Sequence, residues 1–281
     1  MNKSGGIEPG VIGVAGCGNM GLPMARRLHQ GGFDIWGFDV RPLSEFGDFQ
    51  DRMIEDPGAF ADRVDTVISV VRDWHQTEDL CFDDQAVFNH ANAPRTLIVS
   101  STLSPGILAP LKNRLGDGTV LLDAPMSGAP YRAADGTLTF MVGGEAEDVN
   151  ALTPAFKAMG RDIHHLGACG AGFTCKVVNN FVASSSVVAV RRALKAAKAL
   201  GVDQKTMLDV MRSSSGGSWF GDNFDDIDWA HEGYDPANTM GILEKDMSSF
   251  LDAMSGVPDY EQGSFEDAIL DNLRKMEKLF E

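Results

Sequence analysis

In the stretch GAGFTCKVVNN, residues 170–180, an ammonium and two amides fall within five residues of one another: Lys176, Asn179 and Asn180. They sit at the start of an otherwise apolar run that reads as a long helix. An amine that is neutral for part of its cycle can take a hydroxyl proton and, once protonated, return it to an alkoxide. For Lys176 that requires lowering an ordinary pKa of about 10.4, by burial or by nearby positive charge. The start of a largely buried helix offers desolvation and the positive end of the helix dipole. Asn180 lies one turn on, on the same face, where its amide can orient the lysine or a bound molecule. The same letters also fit a snorkelling lysine beside capping amides, and this segment alone leaves both readings open.

A second constellation is GCGNMG, residues 16–21, which fits G-x-G-x-x-G. Such hexamers occur by chance in turns, but this one follows an apolar strand-like run and opens a helical pattern, the context that gives it meaning. Gly16 permits the tight turn, Gly18 lets backbone approach a pyrophosphate, and Gly21 lets helix pack on strand. The whole loop, Gly16, Gly18, Asn19, Met20 and Gly21, is therefore expected to contact a dinucleotide at the helix N-terminus. Asp39 falls eighteen residues past Gly21, where a carboxylate accepts from the adenosine ribose hydroxyls and repels a 2′-phosphate. NAD is the expected cofactor. Arg41, two residues further, keeps NADP open.

The elements that must position these residues are legible from periodicity. Apolar runs at 11–15, 33–39, 66–71, 96–100, 120–123 and 139–142 read as strands, most of them separated by helix-compatible segments such as 19–30. Strands alternating with helices predict a parallel sheet covered on both faces. After Gly172 the texture changes: residues 173–200 contain neither proline nor glycine, a helix of about 42 Å at ~1.5 Å per residue. Everything beyond it reads as helix. The expected organisation is a Rossmann-type α/β domain over 1–168 and an all-α domain over 169–281.

Bulk properties narrow the function classes. The net charge of −16 over 281 residues argues against a nucleic-acid backbone or an anionic membrane as partner. Four cysteines, at 17, 81, 169 and 175, form no CxxC pair and read as reduced thiols of a cytoplasmic protein. Residues 1–10 lack the apolar core of a signal peptide, and no stretch approaches the ~18 apolar residues of a membrane span. The segment 221–235 holds six carboxylates and one histidine at spacings that fit neither an EF-hand nor a zinc pattern, so an exposed acidic loop and no metal site are expected. His164-His165 reads as a turn, and Trp219, an aromatic of the helical domain, reads as core, with a place at the mouth of a site kept as an outside alternative.

Four blocks converge on one resemblance. GVAGCGNMGLPMARRL (13–28), STLSP (101–105), DAPMSGAPYRAADGTLTFMVGGE (123–145) and GAGFTCKVVNN (170–180) resemble the signature blocks of the β-hydroxyacid dehydrogenase family, and EKDMSSFLDA (244–253) resembles its Lys-Asp block. That family includes 3-hydroxyisobutyrate dehydrogenases and tartronate, glyoxylate and succinic semialdehyde reductases.

The resemblance implies roles at the matching positions only. Lys176 takes the place of the catalytic lysine and Asn180 that of its companion amide. Ser127, Gly128 and Ala129 take the place of the substrate-binding residues, although the family commonly has Ser-Gly-Gly there. Thr102 and Lys245 match residues flanking the nicotinamide; Val71 and Arg72 match positions lining the cofactor. Tyr131 and Arg132, which follow, leave substrate identity open.

The implied reaction is reversible, NAD-dependent oxidation of a 3-hydroxy carboxylate, 3-hydroxyisobutyrate-like, to its semialdehyde. The alternatives are an NADPH-dependent semialdehyde or glyoxylate reductase using the same lysine, and a non-catalytic NAD(P)-binding protein. The resemblance and the length of the 173–200 helix together imply a homodimer or homotetramer.

Overall fold

The computed structural model describes residues 10–279. The chain divides into two compact units, Met1–Lys176 and Val177–Glu281. In the first, β1 (Ile12–Ala15) leads through the glycine turn to α1 (Gly21–Gln30), followed by β2 (Ile35–Phe38), β3 (Met53–Ile54) and α2 (Pro57–Arg63). Then come β4 (Thr66–Ser69), α3 (Trp74–Cys81), β5 (Thr96–Val99), α4 (Leu108–Leu115) and β6 (Val120–Asp123). The unit continues with β7 (Met126–Ser127), α5 (Pro130–Asp135), β8 (Leu138–Val142), α6 (Ala146–Met159) and β9 (Gly160–His165).

Six strands form a parallel sheet in the order β3-β2-β1-β4-β5-β6, so the chain reverses direction across the sheet beside β1. Every residue of β1, β4 and β5 is buried, which is why these strands read as mostly apolar or β-branched runs rather than alternating ones. One face is covered by Met24, Leu28, Phe140 and Phe156, the other by Phe60, Leu80, Leu111 and Phe173.

Two strand assignments differ from the sequence expectation. Residues 139–142 do not join the main sheet; β8 pairs antiparallel with β7 and parallel with β9 in a separate three-stranded sheet. His164 and His165 end β9 rather than forming a turn, with His165 Nε2 2.9 Å from the Gly144 carbonyl. Strand β9 (GRDIHH) is largely polar and half exposed, so no apolar run announced it.

The second unit is helical throughout, comprising the rest of α7 (Ala171–Ala199), then α8 (Gln204–Arg212), α9 (Trp219–Asp222), α10 (Thr239–Met254) and α11 (Ser264–Arg274). Its core gathers Val187, Leu194, Leu208, Phe224, Met247 and Ile269, and Phe181 stacks on Phe250 at 4.5 Å. Asp203 and Asn238 cap α8 and α10 through side-chain acceptors. The acidic segment 221–235 is tied down by its apolar members: Phe224 and Ala230 are fully buried. Arg191, itself buried, donates to the carbonyls of Ala230 (2.6 Å), Glu232 (2.9 Å) and Glu277 (2.6 Å), fastening that segment and the C-terminal stretch to α7. Trp219 is 56% exposed, which removes the core reading and leaves the outside alternative.

By length and composition α7 is apolar enough to cross a membrane, which the count of consecutive apolar residues did not anticipate. Its polar members Lys176, Asn180 and Arg191 are nonetheless buried by this chain itself. The units part eight residues beyond the expected position 168 because Phe173 packs into the sheet unit's core, carrying the first turn of α7 with it.

Candidate active site

The glycine turn has the geometry its spacing implied. Gly16 has φ +88°, and a Cβ there would stand 2.9 Å from the Val70 backbone. A Cβ on Gly21 would stand 2.1 Å from the Gly16 carbonyl oxygen, so helix start and turn touch with no room between them. Gly18 is the opposite case: nothing of the protein lies within 4 Å of where its Cβ would be. The helix that follows starts without a side-chain cap and without an acidic residue in its first turn. Backbone N–H groups facing an open cradle, with no carboxylate to compete, fit a bound pyrophosphate. Asn19 is exposed at this turn, whereas Met20 packs against the core.

Asp39 follows β2, and its carboxylate already has a partner. Arg41 donates from Nε to Oδ1 (3.0 Å) and from Nη2 to Oδ2 (3.2 Å), and Nη2 also reaches the Cys17 carbonyl in the glycine turn at 2.8 Å. The guanidinium lies 4.9 Å from the centroid of the Phe46 ring. A ribose hydroxyl approaching Asp39 therefore meets a carboxylate shared with an arginine, and a 2′-phosphate would meet that arginine. Cys17 itself is buried, its thiol pushed up to about 12 by burial and by Asp39.

The loops after β4 and β5 are tied together: Ser101 Oγ donates to the Val71 carbonyl at 2.6 Å, beside Thr102, and the Arg72 N–H donates to Gln76 Oε1 at 3.0 Å. Val71 and Thr102 are half-buried, while Arg72 is exposed. Val71, Arg72, Ser101 and Thr102 lie where the parallel strands end, the edge at which doubly wound sheets hold ligands.

Beyond β6 the chain enters the Ser127 segment. Ser127 pairs with Thr139 across β7 and β8, and Gly128 takes φ +143°, where a Cβ would press on Leu138 at 2.8 Å. Ala129 caps α5 with extended backbone. Arg132 donates to the Thr137 carbonyl and is thereby engaged in closing α5, whereas Tyr131 is 57% exposed. The carboxylate of Asp123, fully buried at the end of β6, accepts from the backbone N–H of Gly170 at 2.7 Å and of Phe173 at 2.6 Å. Asp123 thus anchors the N-terminus of α7. Lys176, three residues past Phe173, is 8% exposed, so the lysine is buried and not a snorkelling surface residue.

The helical unit holds a second polar group. Asn180 Nδ2 donates to Asp246 Oδ2 at 2.6 Å, both residues being buried. Lys245 Nζ lies 3.0 Å from Asp246 Oδ1, an ion pair whose angles do not make it a hydrogen bond. Asn179 is exposed and donates to Asn180 Oδ1 at 3.2 Å. Sequence reasoning assigned nothing to Asp123 or Asp246, although both stand inside the family-like blocks. An acidic residue beside a lysine, or opening an apolar loop, carries no signal of burial.

A doubly wound sheet whose first glycine turn is built in this way binds a dinucleotide, and it places the chain among NAD(P)-dependent oxidoreductases. Residues 11–167 match the family model described as the NAD binding domain of 6-phosphogluconate dehydrogenase. Residues 170–258 match the one described as NAD-binding of NADP-dependent 3-hydroxyisobutyrate dehydrogenase. The chain is 32% identical over 246 residues to L-threonate dehydrogenase of Cupriavidus necator, a span covering 86% of this chain and 82% of that one. To NAD-dependent L-serine dehydrogenase of Pseudomonas aeruginosa it is 38% identical over 221 residues, 74% and 71% of the two chains. The fold matches Mycobacterium tuberculosis 3-hydroxyisobutyrate dehydrogenase, solved with L-serine, at a TM-score of 0.77 and 24% identity over 95% and 96% of the chains. The chain belongs to the β-hydroxyacid dehydrogenase family. It is an NAD(P)-dependent 3-hydroxyacid dehydrogenase, acting on a CH–OH group.

Proposed function

We propose that Lys176 is the general acid/base of this dehydrogenase and that its substrate is a small 3-hydroxy carboxylate of the 3-hydroxyisobutyrate, L-serine or L-threonate type. The observation that carries this reading is the burial of Lys176 in the first turns of α7. An amine is expensive to bury without purpose, and one held beside a reacting hydroxyl can exchange a proton with it. In the oxidising direction Lys176 Nζ takes the hydroxyl proton; in the reducing direction it returns a proton to the alkoxide oxygen. Bound nicotinamide supplies the hydride acceptor or donor.

The remaining roles follow from what each residue offers. Ser127 and the backbone of Gly128 and Ala129 bind the carboxylate end of the substrate. Gly16, Gly18, Asn19, Met20 and Gly21 hold the pyrophosphate, Asp39 the adenosine ribose, and Val71, Arg72 and Thr102 line the nicotinamide half. Asn180, oriented by Asp246, steadies the reacting centre, and Lys245 flanks the nicotinamide. The two domains of the enzyme are taken as 1–168 and 169–281. Outward-facing Val178 (46% exposed) and Val182 (59% exposed) on α7 support a homodimer or homotetramer formed through the helical unit. The enzyme is placed in the cytoplasm, with neither nucleic acid nor membrane as partner.

The test is the initial rate of absorbance change at the reduced-nicotinamide band, with NAD⁺ and NADP⁺ separately and a panel of 3-hydroxy acids. It is run on the wild type and on Lys176→Ala. The wild type turns over NAD⁺ with at least one acid, and the variant loses 10²-fold or more of kcat while still binding cofactor. An alanine variant with wild-type rates would remove Lys176 from the mechanism.

A further inference from the structure

Asp123 has no place in the proton chemistry above and no exposure to solvent, yet the surrounding chain is built around its carboxylate. Its backbone exchanges two hydrogen bonds with Gly143, at 3.1 and 2.8 Å. A Cβ on Gly143 would stand 2.3 Å from Oδ1, and one on Gly172 would stand 2.8 Å from Oδ2. Two glycines therefore make room for the carboxylate, and two backbone N–H groups, of Gly170 and Phe173, receive its oxygens.

Capping alone does not explain an aspartate here. A serine or asparagine caps a helix about as well and buries no charge. What only a carboxylate provides is two acceptor oxygens for two donors three residues apart. Two anchor points at different heights fix the rotation of a helix about its axis as well as the position of its end. Lys176 is three residues beyond the upper anchor, about 5 Å along the same helix face, with no joint between. On the other side Ser127 is four residues beyond Asp123, within about 13 Å of extended chain, held by the β7–β8 ladder.

We infer that Asp123 is a positioning residue: one buried carboxylate welds the Ser127 segment to the start of α7 and so fixes Lys176 relative to the bound hydroxy acid. This rests on the reading of Lys176 as the acid/base. The role concerns chemistry and not affinity for the pyrophosphate and adenosine ribose, because the glycine turn after β1 and Asp39 after β2 stand three and four strands from β6 in the sheet order.

The experiment compares full-length Asp123→Asn and Gly172→Ala with wild type. Asparagine keeps one acceptor and loses the other. Gly172→Ala keeps the carboxylate but drives a methyl against it and against the Met141 carbonyl, 2.3 Å away. Active sites are counted by NADH fluorescence titration, so that kcat refers to folded enzyme even where a variant is mostly unfolded.

Both variants should lose 10- to 100-fold in kcat, as displacement of about 1 Å at a reacting centre does. KM for the acid should stay within about threefold and Kd for NADH within about twofold. A kcat per folded site within threefold of wild type in Asp123→Asn, or equal losses in kcat and NADH affinity, overturns the positioning role. Lys176→Ala separates the two claims. If it is inactive while Asp123→Asn is normal, only the positioning role falls; if Lys176→Ala is active, the acid/base reading falls and this one with it.

Discussion

Replacing Gly18 and Gly21 by alanine should move stability in opposite directions while weakening cofactor binding in both cases. At Gly21 the new methyl would begin 2.1 Å from the Gly16 carbonyl oxygen, so either the turn or the first turn of α1 must move by about 1 Å. Overpacking of that kind costs about 3 kcal/mol, the upper end of the usual range, or roughly 6–12 °C in Tm at 2–4 °C per kcal/mol. At Gly18 nothing lies within 4 Å and the backbone is not left-handed. Alanine there fits and removes freedom from the unfolded chain, adding about 0.4–1 kcal/mol. The space it fills is the space through which backbone must approach a pyrophosphate. A 10- to 100-fold loss in NADH affinity, about 1.4–2.8 kcal/mol, is expected. Thermal melts of the cofactor-free variants and fluorescence titration with NADH read the two quantities separately. A Gly18→Ala protein that melts as low as Gly21→Ala would refute the packing argument, and one that binds NADH within twofold of wild type would place the pyrophosphate elsewhere.

Two further outcomes follow from the same geometry. Arg41 neutralises Asp39 and is the donor a 2′-phosphate would meet, so Arg41→Ala should raise the ratio of kcat/KM for NAD over NADP by about tenfold; an unchanged ratio would mean that Arg41 only braces the Cys17 turn. The thiols of Cys17 and Cys81 are held at about 12 against an ordinary 9.0, chiefly by burial. Above pH 9 the unfolded thiols ionise while the folded ones stay neutral, so stability falls as pH rises from 9 towards 12, by up to about 1.4 kcal/mol per unit per thiol. Urea midpoints at pH 8 and pH 10.5 measure the slope, and Cys81→Ala should flatten it.

The sequence by itself determined whatever depends on neighbours along the chain. The turn geometry of Gly16, Gly18 and Gly21 follows from their spacing after an apolar strand. Strands β1, β4 and β5 were legible because a parallel strand covered on both faces is largely apolar and does not alternate. The long helix was legible from the absence of glycine and proline over 173–200. Even Lys176 and Asn180 stood out, since polar groups are conspicuous in such a run.

Only the tertiary structure decided which of these groups are held, and by what. The bonds from Asp123 to Gly170 and Phe173 span 47 and 50 residues, and that from Asn180 to Asp246 spans 66. The separate β7-β8-β9 sheet, the burial of Arg191 and the exposure of Trp219 have no local signature either. A side chain's type states what it can donate or accept. Its partner is chosen by which distant segments the buried apolar surface brings together, and the chain records that choice only collectively.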